Sequence, residues 1–148
     1  MRFWALVIVV ACNGENKLSS LDEIPNNDGV EIEVTPTALD FGTLNATDEP
    51  VVQAFTISSV GVNPLDISLI ELIGEQTASY TILTPELEFT LAPGDSQNIE
   101  IAFFPVDANE VFAEAFIESN AANNPQETVS LIGMGQIGAL AINPDPLN

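Results

Sequence analysis

The single cysteine of this chain, Cys12, is the residue whose type and position indicate the most defined chemistry. It follows a charged start at Met1-Arg2, an unbroken apolar run over residues 3–10 and the small residue Ala11. This order of charge, apolar run and small residue is typical of an export signal that is cleaved before Cys12. The run is far shorter than the roughly 20 residues that span a bilayer, so it is not predicted to be a transmembrane anchor.

The segment Val9-Val10-Ala11-Cys12 resembles the lipobox of bacterial lipoproteins. The resemblance implies that the Cys12 sulfur carries a diacylglyceryl thioether and that Cys12 becomes the first residue of the mature protein. Several acyl chains, at about 0.8 kcal/mol per buried CH₂, hold a protein on a membrane more firmly than one chain does. Residues 1–12 are therefore predicted to be a lipoprotein-type signal, with the protein lipid-anchored in the bacterial cell envelope, at the outer membrane or cell surface. The alternatives are an ordinary secretory signal, which would leave the protein secreted or periplasmic, and a buried strand with an incidental cysteine.

The charge composition excludes several classes of partner. The 148 residues include 22 acidic and 2 basic side chains, which gives a formal net charge of −20. The two cations are Arg2 and Lys17, so no side-chain cation follows residue 17. Nucleic-acid binding requires Lys and Arg to neutralise phosphates, and contact with anionic lipid head groups has the same requirement. We therefore expect no nucleic-acid partner, and we expect the membrane to be contacted only through the N-terminal lipid.

The same composition removes most catalytic groups. The chain contains no histidine, the usual general base near neutral pH. Its only thiol is predicted to be lipidated, and no Arg or Lys follows residue 17 to stabilise an oxyanion. Carboxylate pairs can cleave glycosides, but the acidic residues are scattered at the spacing of strand surfaces. The sequence therefore predicts no enzyme, no catalytic residues and no cofactor.

A ligand-binding function, with polysaccharide or calcium as the ligand, is the alternative that the sequence leaves open. Trp4 lies in the predicted signal, and Tyr80 is the only tyrosine, so the aromatic platforms that sugars prefer are scarce. Acidic residues are dense around residues 22–33 and 107–110, but neither stretch has the spaced oxygen ligands of an EF-hand loop. No metal site is therefore predicted.

The predicted domain begins where the chain changes character. Residues 13–29 are polar and lack periodicity, which indicates a flexible tether with a reach of roughly 20–25 Å.

From residue 30, short runs with apolar residues at every second position alternate with Pro, Gly, Asn and Asp. A change of parity near Leu69-Ile70 predicts a β-bulge. With one cysteine the chain cannot form an internal disulfide. The pattern predicts an all-β, antiparallel sandwich stabilised by apolar burial. Its alternating positions are Val30, Ile32, Val34; Phe55, Ile57; Leu65, Ile67, Leu69; Leu87, Phe89, Leu91; Ile99, Ile101, Phe103; Val111, Ala113, Ala115, Ile117; and Val129, Leu131.

Seven short segments occur in an order that is typical of one known family. They are Thr35-Pro36 with Leu39-Asp40-Phe41-Gly42; Phe55-Thr56-Ile57 with Gly61; Pro64-Leu65-Asp66-Ile67; Leu91-Ala92-Pro93-Gly94-Asp95-Ser96; residues 99–105; Ala115-Phe116-Ile117-Glu118-Ser119-Asn120; and residues 129–135. Together they resemble the hydin-type (ASH) immunoglobulin-like domain, whose bacterial members are often called choice-of-anchor D.

The resemblance covers residues 30–135 and implies an immunoglobulin-like sandwich of seven to eight strands without catalysis. It implies that Gly42, Gly61, Gly94 and Gly133 lie in turns or at strand ends. Two turns depart from the family, at Ser59-Val60-Gly61 and Ala121, so we expect altered loops there and an unaltered fold. The implied core residues are Leu39, Phe41, Phe55, Ile57, Ile101 and Phe103.

The C-terminal residues repeat an earlier pattern. Residues 142–148 have the spacing of residues 34–40, with Ile142 and Pro144 in the places of Val34 and Pro36. Such internal repetition is typical of tandem arrays. Residues 136–148 are therefore predicted to be a linker and the start of a second repeat. The alternative is a tail with a coincidental proline.

Two phenylalanines on one predicted strand suggest a contact surface. The outward positions of residues 110–118 read Glu110, Phe112, Glu114, Phe116 and Glu118, and Phe104 also falls at an outward position. Phe104, Phe112 and Phe116 are therefore the predicted interaction patch, for a protein partner or a neighbouring repeat. Packing between strands on the outer face of a sheet is the alternative. The sequence thus predicts a non-catalytic, lipid-anchored envelope protein that presents a structural or interaction module.

Overall fold

A computed structural model describes residues 29–136 and 138 of the chain. The predictions for Cys12, for the tether up to residue 28 and for the second repeat after residue 138 lie outside the described residues. One turn of 3₁₀ helix spans Thr77–Ser79. The strands are β1 (Ile32–Thr35), β2 (Ala38–Asn45), β3 (Val51–Ser59), β4 (Leu65–Ile73), β5 (Tyr80–Ile82), β6 (Phe89–Leu91), β7 (Ser96–Phe103), β8 (Glu110–Ser119) and β9 (Gln126–Gln136).

These strands form two sheets, so the predicted immunoglobulin-like sandwich is confirmed. One sheet has the order β1-β3-β7-β5 and the other has the order β2-β9-β8-β4-β6. The strand count of nine is one above the predicted range, because β5 is a three-residue strand and too short to show alternation in sequence. The β2–β9 pair is parallel, whereas the other six pairings are antiparallel. Only Pro36 and Thr37 separate β1 in one sheet from β2 in the other.

The core lies between the two sheets and consists of the inward side chains of each strand. Every second residue of a strand points to the same face, and the apolar parity of each long strand is buried. The prediction of the core is confirmed at Leu39, Phe41, Phe55, Ile57, Ile101 and Phe103, which are all buried. The rings of Phe41, Tyr80 and Phe103 form its aromatic centre, with centroids 5.1–5.5 Å apart.

Two irregularities adjust which way side chains point. The β4–β8 register shifts between Ile67 and Leu69, which confirms the bulge expected near Leu69-Ile70. The β2–β9 register shifts between Asp40 and Thr43. Gly42 lies in that shift with a φ of 67°, and its N–H donates to Asp40 Oδ1 at 2.9 Å. Because glycine adopts positive φ without a steric penalty, it fits this position.

The expectation that all four glycines lie in turns or at strand ends is confirmed for two of them and wrong for the others. Gly61 and Gly94 lie in turns, whereas Gly42 lies within β2 and Gly133 within β9. A Cβ atom at Gly133 would come within 2.5 Å of the Phe103 ring. Gly133 is therefore required by side-chain packing across the core, which the local sequence does not reveal.

Side-chain amides extend the backbone pairing of two strands. Asn123 pairs with β1 as a neighbouring strand would: its Oδ1 accepts from Ile32 N–H at 3.0 Å and its Nδ2 donates to Ile32 O at 2.8 Å. Asn120 Oδ1 accepts from Asp66 N–H at 2.8 Å, while the Asn120 backbone N–H donates to Asp66 O at 3.1 Å. Because unpaired edges invite pairing with other chains, the Asn123 amide covers part of the outer edge of β1, whereas the Asn120 amide extends the contact of β8 with the interior strand β4.

Candidate interaction site

Strand β8 presents alternating acidic and aromatic side chains to solvent. Val111, Ala113 and Ile117 point into the core and are buried. The side chains between them therefore point outward from the five-stranded sheet. Phe112 is 49% exposed, and Phe116 is partly buried.

The backbone at Phe112 is held by a residue outside the sheet. Gln76 Oε1 accepts from Phe112 N–H at 2.8 Å, and Gln76 Nε2 donates to Glu110 O at 3.3 Å. Gln76 precedes the 3₁₀ turn and follows β4, whose pairing with β8 extends to Ile73 opposite Glu114. Its amide therefore forms hydrogen bonds with the β8 backbone beyond the point where the pairing with β4 ends. These bonds hold the end of β8 that carries Phe112.

Register brings two further apolar side chains beside Phe112. On β9, Ile132 lies directly opposite Phe112, and Met134 lies opposite Glu110. Met134 is 44% exposed. Directly opposed side chains have Cβ atoms about 4.5–5.5 Å apart, which places these groups in contact range. Ile132 and Met134 were not part of the predicted patch, although their parity relative to the inward Val129 and Leu131 was a usable signal.

Carboxylates flank this apolar cluster on both sides. Asp40 on β2 lies opposite Ile132, and Glu71 on β4 lies opposite Phe116. A shallow depression of about 290 Å³ lies at the β2 side, lined by Asp40, Gly42, Thr43, Glu110, Ile132, Gly133 and Met134. We call this surface the acidic–apolar face. It comprises Phe112, Phe116, Ile132 and Met134 with Asp40, Glu71, Glu110, Glu114 and Glu118.

The structure separates Phe104 from the other two residues of the predicted patch. Phe104 follows β7 of the four-stranded sheet and is 45% exposed, and its backbone N–H donates to Ser79 O at 2.8 Å. The preceding Phe103 points into the core from that sheet, so Phe104 points away from it. The structure therefore brings Phe112 and Phe116 onto one face and places Phe104 elsewhere.

The outer face of the four-stranded sheet has a different composition. Its outward positions are mostly small or polar, and Thr56 Oγ1 there donates to Asn98 Oδ1 at 2.8 Å. Val52 is the large apolar side chain that β3 exposes on this face. The aromatic residues exposed by the strands therefore lie on the acidic–apolar face.

The described residues contain no cluster of three or more His, Cys, Asp or Glu side chains that could hold a metal ion. In the acidic stretch at 107–110, the backbone carbonyl of Asn109 accepts a hydrogen bond from Gly135 N–H at 2.8 Å, so this group helps to hold the loop against β9. Within the part of the chain that the structure describes, no helix has the length and apolar character needed to cross a membrane.

Tyr80 is buried, and its hydroxyl donates to Val111 O at 2.9 Å. Burial, with a smaller contribution from the charge of Asp40, raises the pKa of Tyr80 from 10.0 to about 12. Its place in the aromatic centre of the core indicates a structural role for this group.

Tyr80 should make folding stability fall at alkaline pH. The pKa is higher in the folded chain than in the unfolded chain, so its contribution is complete below pH 10 and is lost as pH rises from 10 to 12. We expect a loss of about 2–3 kcal/mol over that interval, since one pKa unit corresponds to about 1.36 kcal/mol. Urea unfolding measured from pH 9 to 12 tests this, with absorbance at 295 nm reporting the ionisation of this only tyrosine.

Tyr80→Phe is the matched control, because it keeps the ring and removes the ionisable group. We expect the variant to lose about 1 kcal/mol at neutral pH with the hydrogen bond, and to show a weaker dependence on pH between 10 and 12. An unchanged pH dependence in the variant would contradict the assignment to Tyr80.

Comparison with known proteins agrees with the geometry described above. The family model described as "HYDIN/CFA65/VesB-like, Ig-like domain" matches residues 30–134. No curated protein sequence matches the chain.

Three solved structures share the fold at low sequence identity. A protein of unknown function from Porphyromonas gingivalis W83 has a TM-score of 0.58 and 23% identity, over 71% of this chain and 46% of that one. The ASH/PapD-like domain 7 of human CEP192 has a TM-score of 0.58 and 12% identity, over 92% and 99%. The secreted serine protease VesC from Vibrio cholerae has a TM-score of 0.56 and 12% identity, over 74% and 24%.

This chain thus spans less than half the length of those two bacterial proteins, and the likenesses show the fold alone. The family assignment rests on the sequence model, which covers all nine strands except the last two residues of β9. The chain belongs to the HYDIN/CFA65/VesB-like family of Ig-like domains.

Proposed function

We propose that this protein is a non-catalytic, lipid-anchored protein of the bacterial cell envelope, and that its sandwich is a structural or protein-interaction module. The acidic–apolar face is the contact surface in this proposal. The observation that carries it is the half-exposed Phe112, which lies beside Ile132 and Met134 on one sheet face. Exposed apolar patches with polar rims are typical of protein contact sites.

The family supports the non-catalytic part of the proposal, since Ig-like and ASH domains are generally non-catalytic. The likeness to the protease VesC covers 24% of that protein. This chain contains no histidine for a serine-protease type of base. The lipid anchor rests on the resemblance of residues 9–12 to a lipobox, and the tandem array rests on the repeated pattern in residues 142–148.

The alternative of a polysaccharide or calcium module has less support. Tyr80, the only tyrosine, is buried, so it offers no platform to a sugar ring. The acidic side chains of the described residues do not form a cluster of three or more that could hold a metal ion.

The anchor and the contact face can be tested in one set of strains. Metabolic labelling with palmitate should label the wild-type protein and leave Cys12→Ala unlabelled, because the thioether needs the Cys12 sulfur. A photo-crosslinking amino acid at position 112 should trap an envelope protein, and the same group at position 52 on the other sheet face should not.

Equal labelling of wild type and Cys12→Ala would contradict lipid anchoring. Equal crosslinking from positions 112 and 52 would contradict the assignment of the face. The two readouts are independent, so either half of the proposal can fail alone.

A further inference from the structure

The acidic–apolar face has a regular spacing along β8. Its five outward side chains alternate between glutamate and phenylalanine from Glu110 to Glu118. Outward positions on a strand are about 6.8 Å apart, so Glu110, Glu114 and Glu118 recur about every 13.5 Å with a ring between each pair. A partner that pairs with the glutamates and also covers the phenylalanines must present its own charged and apolar groups at the same intervals.

No cation of the described chain neutralises these carboxylates. The only basic side chains in the sequence are Arg2 and Lys17, which lie outside the described residues. Asp40 and Glu71 add charge of the same sign on the neighbouring strands. Complementary charge steers association and selects partners, so the face favours a cationic occupant.

The same charges oppose a second copy of this chain on this face. A two-fold contact places the same patch against itself, which would bring the glutamates of β8 against glutamates. Like charges brought together across an interface cost several kcal/mol. A homodimer through the acidic–apolar face is therefore disfavoured.

The spacing also selects the conformation of the occupant. An extended segment presents every second side chain to one side, at the same interval of about 6.8 Å as β8. A helix advances about 13.5 Å in nine residues, and its side chain then points to the opposite side. An extended segment can therefore match successive glutamates, whereas a single helix face cannot.

We infer that the acidic–apolar face binds an extended peptide segment of a partner protein in which Lys or Arg alternates with apolar side chains on one side. The cations lie over Glu110, Glu114 and Glu118, and the apolar side chains lie over Phe112 and Phe116. The inference rests on the proposed function, because it names the partner chemistry of that same face. Cations beside phenylalanine rings add cation–π attraction to the ion pairs.

A synthetic peptide tests this inference with the full chain in detergent. The probe is a nine-residue peptide that repeats Lys-Thr-Val-Thr and ends in Lys, with fluorescence anisotropy as the readout. We expect saturable binding that weakens as salt rises, because exposed charges are screened. Phe112→Ser with Phe116→Ser should weaken binding about tenfold, since both rings are partly covered in the free chain and their exposed parts together amount to somewhat less than one whole ring.

Matched controls separate the face from the overall charge of the chain. Glu110→Gln with Glu114→Gln should weaken binding and flatten its salt dependence. Glu33→Gln with Glu100→Gln removes the same charge from the four-stranded sheet and should leave binding nearly unchanged, as should Val52→Ser. A peptide with Val replaced by Thr should bind more weakly than the probe.

Two results would overturn the inference: no saturable binding of the probe, or equal loss of binding from both pairs of glutamate variants. Thermal unfolding of each variant confirms that it is folded, which is expected because the altered side chains are exposed or partly buried. If the probe fails while position 112 still crosslinks an envelope protein, the inference is wrong and the proposed function stands.

Discussion

Phe103→Ala is expected to lower the free energy of unfolding by about 3–5 kcal/mol, the usual cost of emptying a buried phenylalanine site. Phe103 is fully buried and packs against the rings of Phe41 and Tyr80, at centroid distances of 5.5 and 5.1 Å. Its ring also fills the space above Gly133 on the facing sheet. Removing it leaves a cavity between the sheets, and the single cysteine of the sequence cannot form an internal disulfide to offset the loss. Urea unfolding at neutral pH, followed by circular dichroism, measures the loss.

The adjacent Phe104→Ala is the matched control, since it removes the same side chain from an exposed position. Its cost should stay within about 0.5–1 kcal/mol. Gly133→Ala tests the same contact from the facing sheet. The added methyl group collides with the Phe103 ring and should lower the free energy of unfolding by about 1–3 kcal/mol. Similar losses for Phe103→Ala and Phe104→Ala would contradict the assignment of Phe103 to the core.

Gly61→Ala is expected to cost about 3–4 kcal/mol through a contact between two backbones. A Cβ atom at Gly61 would lie 2.6 Å from Glu31 N and closer still to Gly29 O. These atoms belong to the segment that enters β1, where Val62 N–H donates to Gly29 O at 2.7 Å and Val60 N–H donates to Glu31 O at 3.0 Å. Overpacking costs about 1–3 kcal/mol, and separating the segments adds about 1 kcal/mol for each hydrogen bond lost.

Gly94→Ala distinguishes this clash from the general cost of replacing a turn glycine. Gly94 has a φ of 89° and no atom within 4 Å of an added Cβ, so its substitution costs only backbone strain. That strain is about 1–2 kcal/mol. Thermal and urea unfolding of both variants should rank Gly61→Ala as the more damaging. The reverse order would contradict the close approach of the two backbones.

The fold class was predictable because the sequence pattern that indicates it is local and recurs in most strands. Alternation of apolar and polar residues reports which side chains of a strand share a face, and this holds without knowledge of the neighbouring strand. The alternating positions Phe55, Ile57 and Ile101 are accordingly buried. The parity change near Leu69 likewise located the bulge to within a residue or two.

The division into sheets was not predictable in the same way. Alternation does not state which strands pair, so the parallel pairing of β2 with β9 has no local signature. The role of Gly133 also depends on a distant residue, Phe103, which faces it across the core. The amides of Asn120 and Asn123 are similar cases, because each pairs with a strand far away in sequence.

For the candidate site, the sequence alone determined that Phe112 and Phe116 point away from the core in alternation with glutamates, and that no side-chain cation after residue 17 balances the charge. The tertiary structure decided that Phe104 lies with the other sheet and that Ile132 and Met134 complete the face. The difference has one physical cause. The direction of a side chain follows from the two-residue period of its own strand. Its neighbours follow from the register between strands, which is set by packing across the whole core.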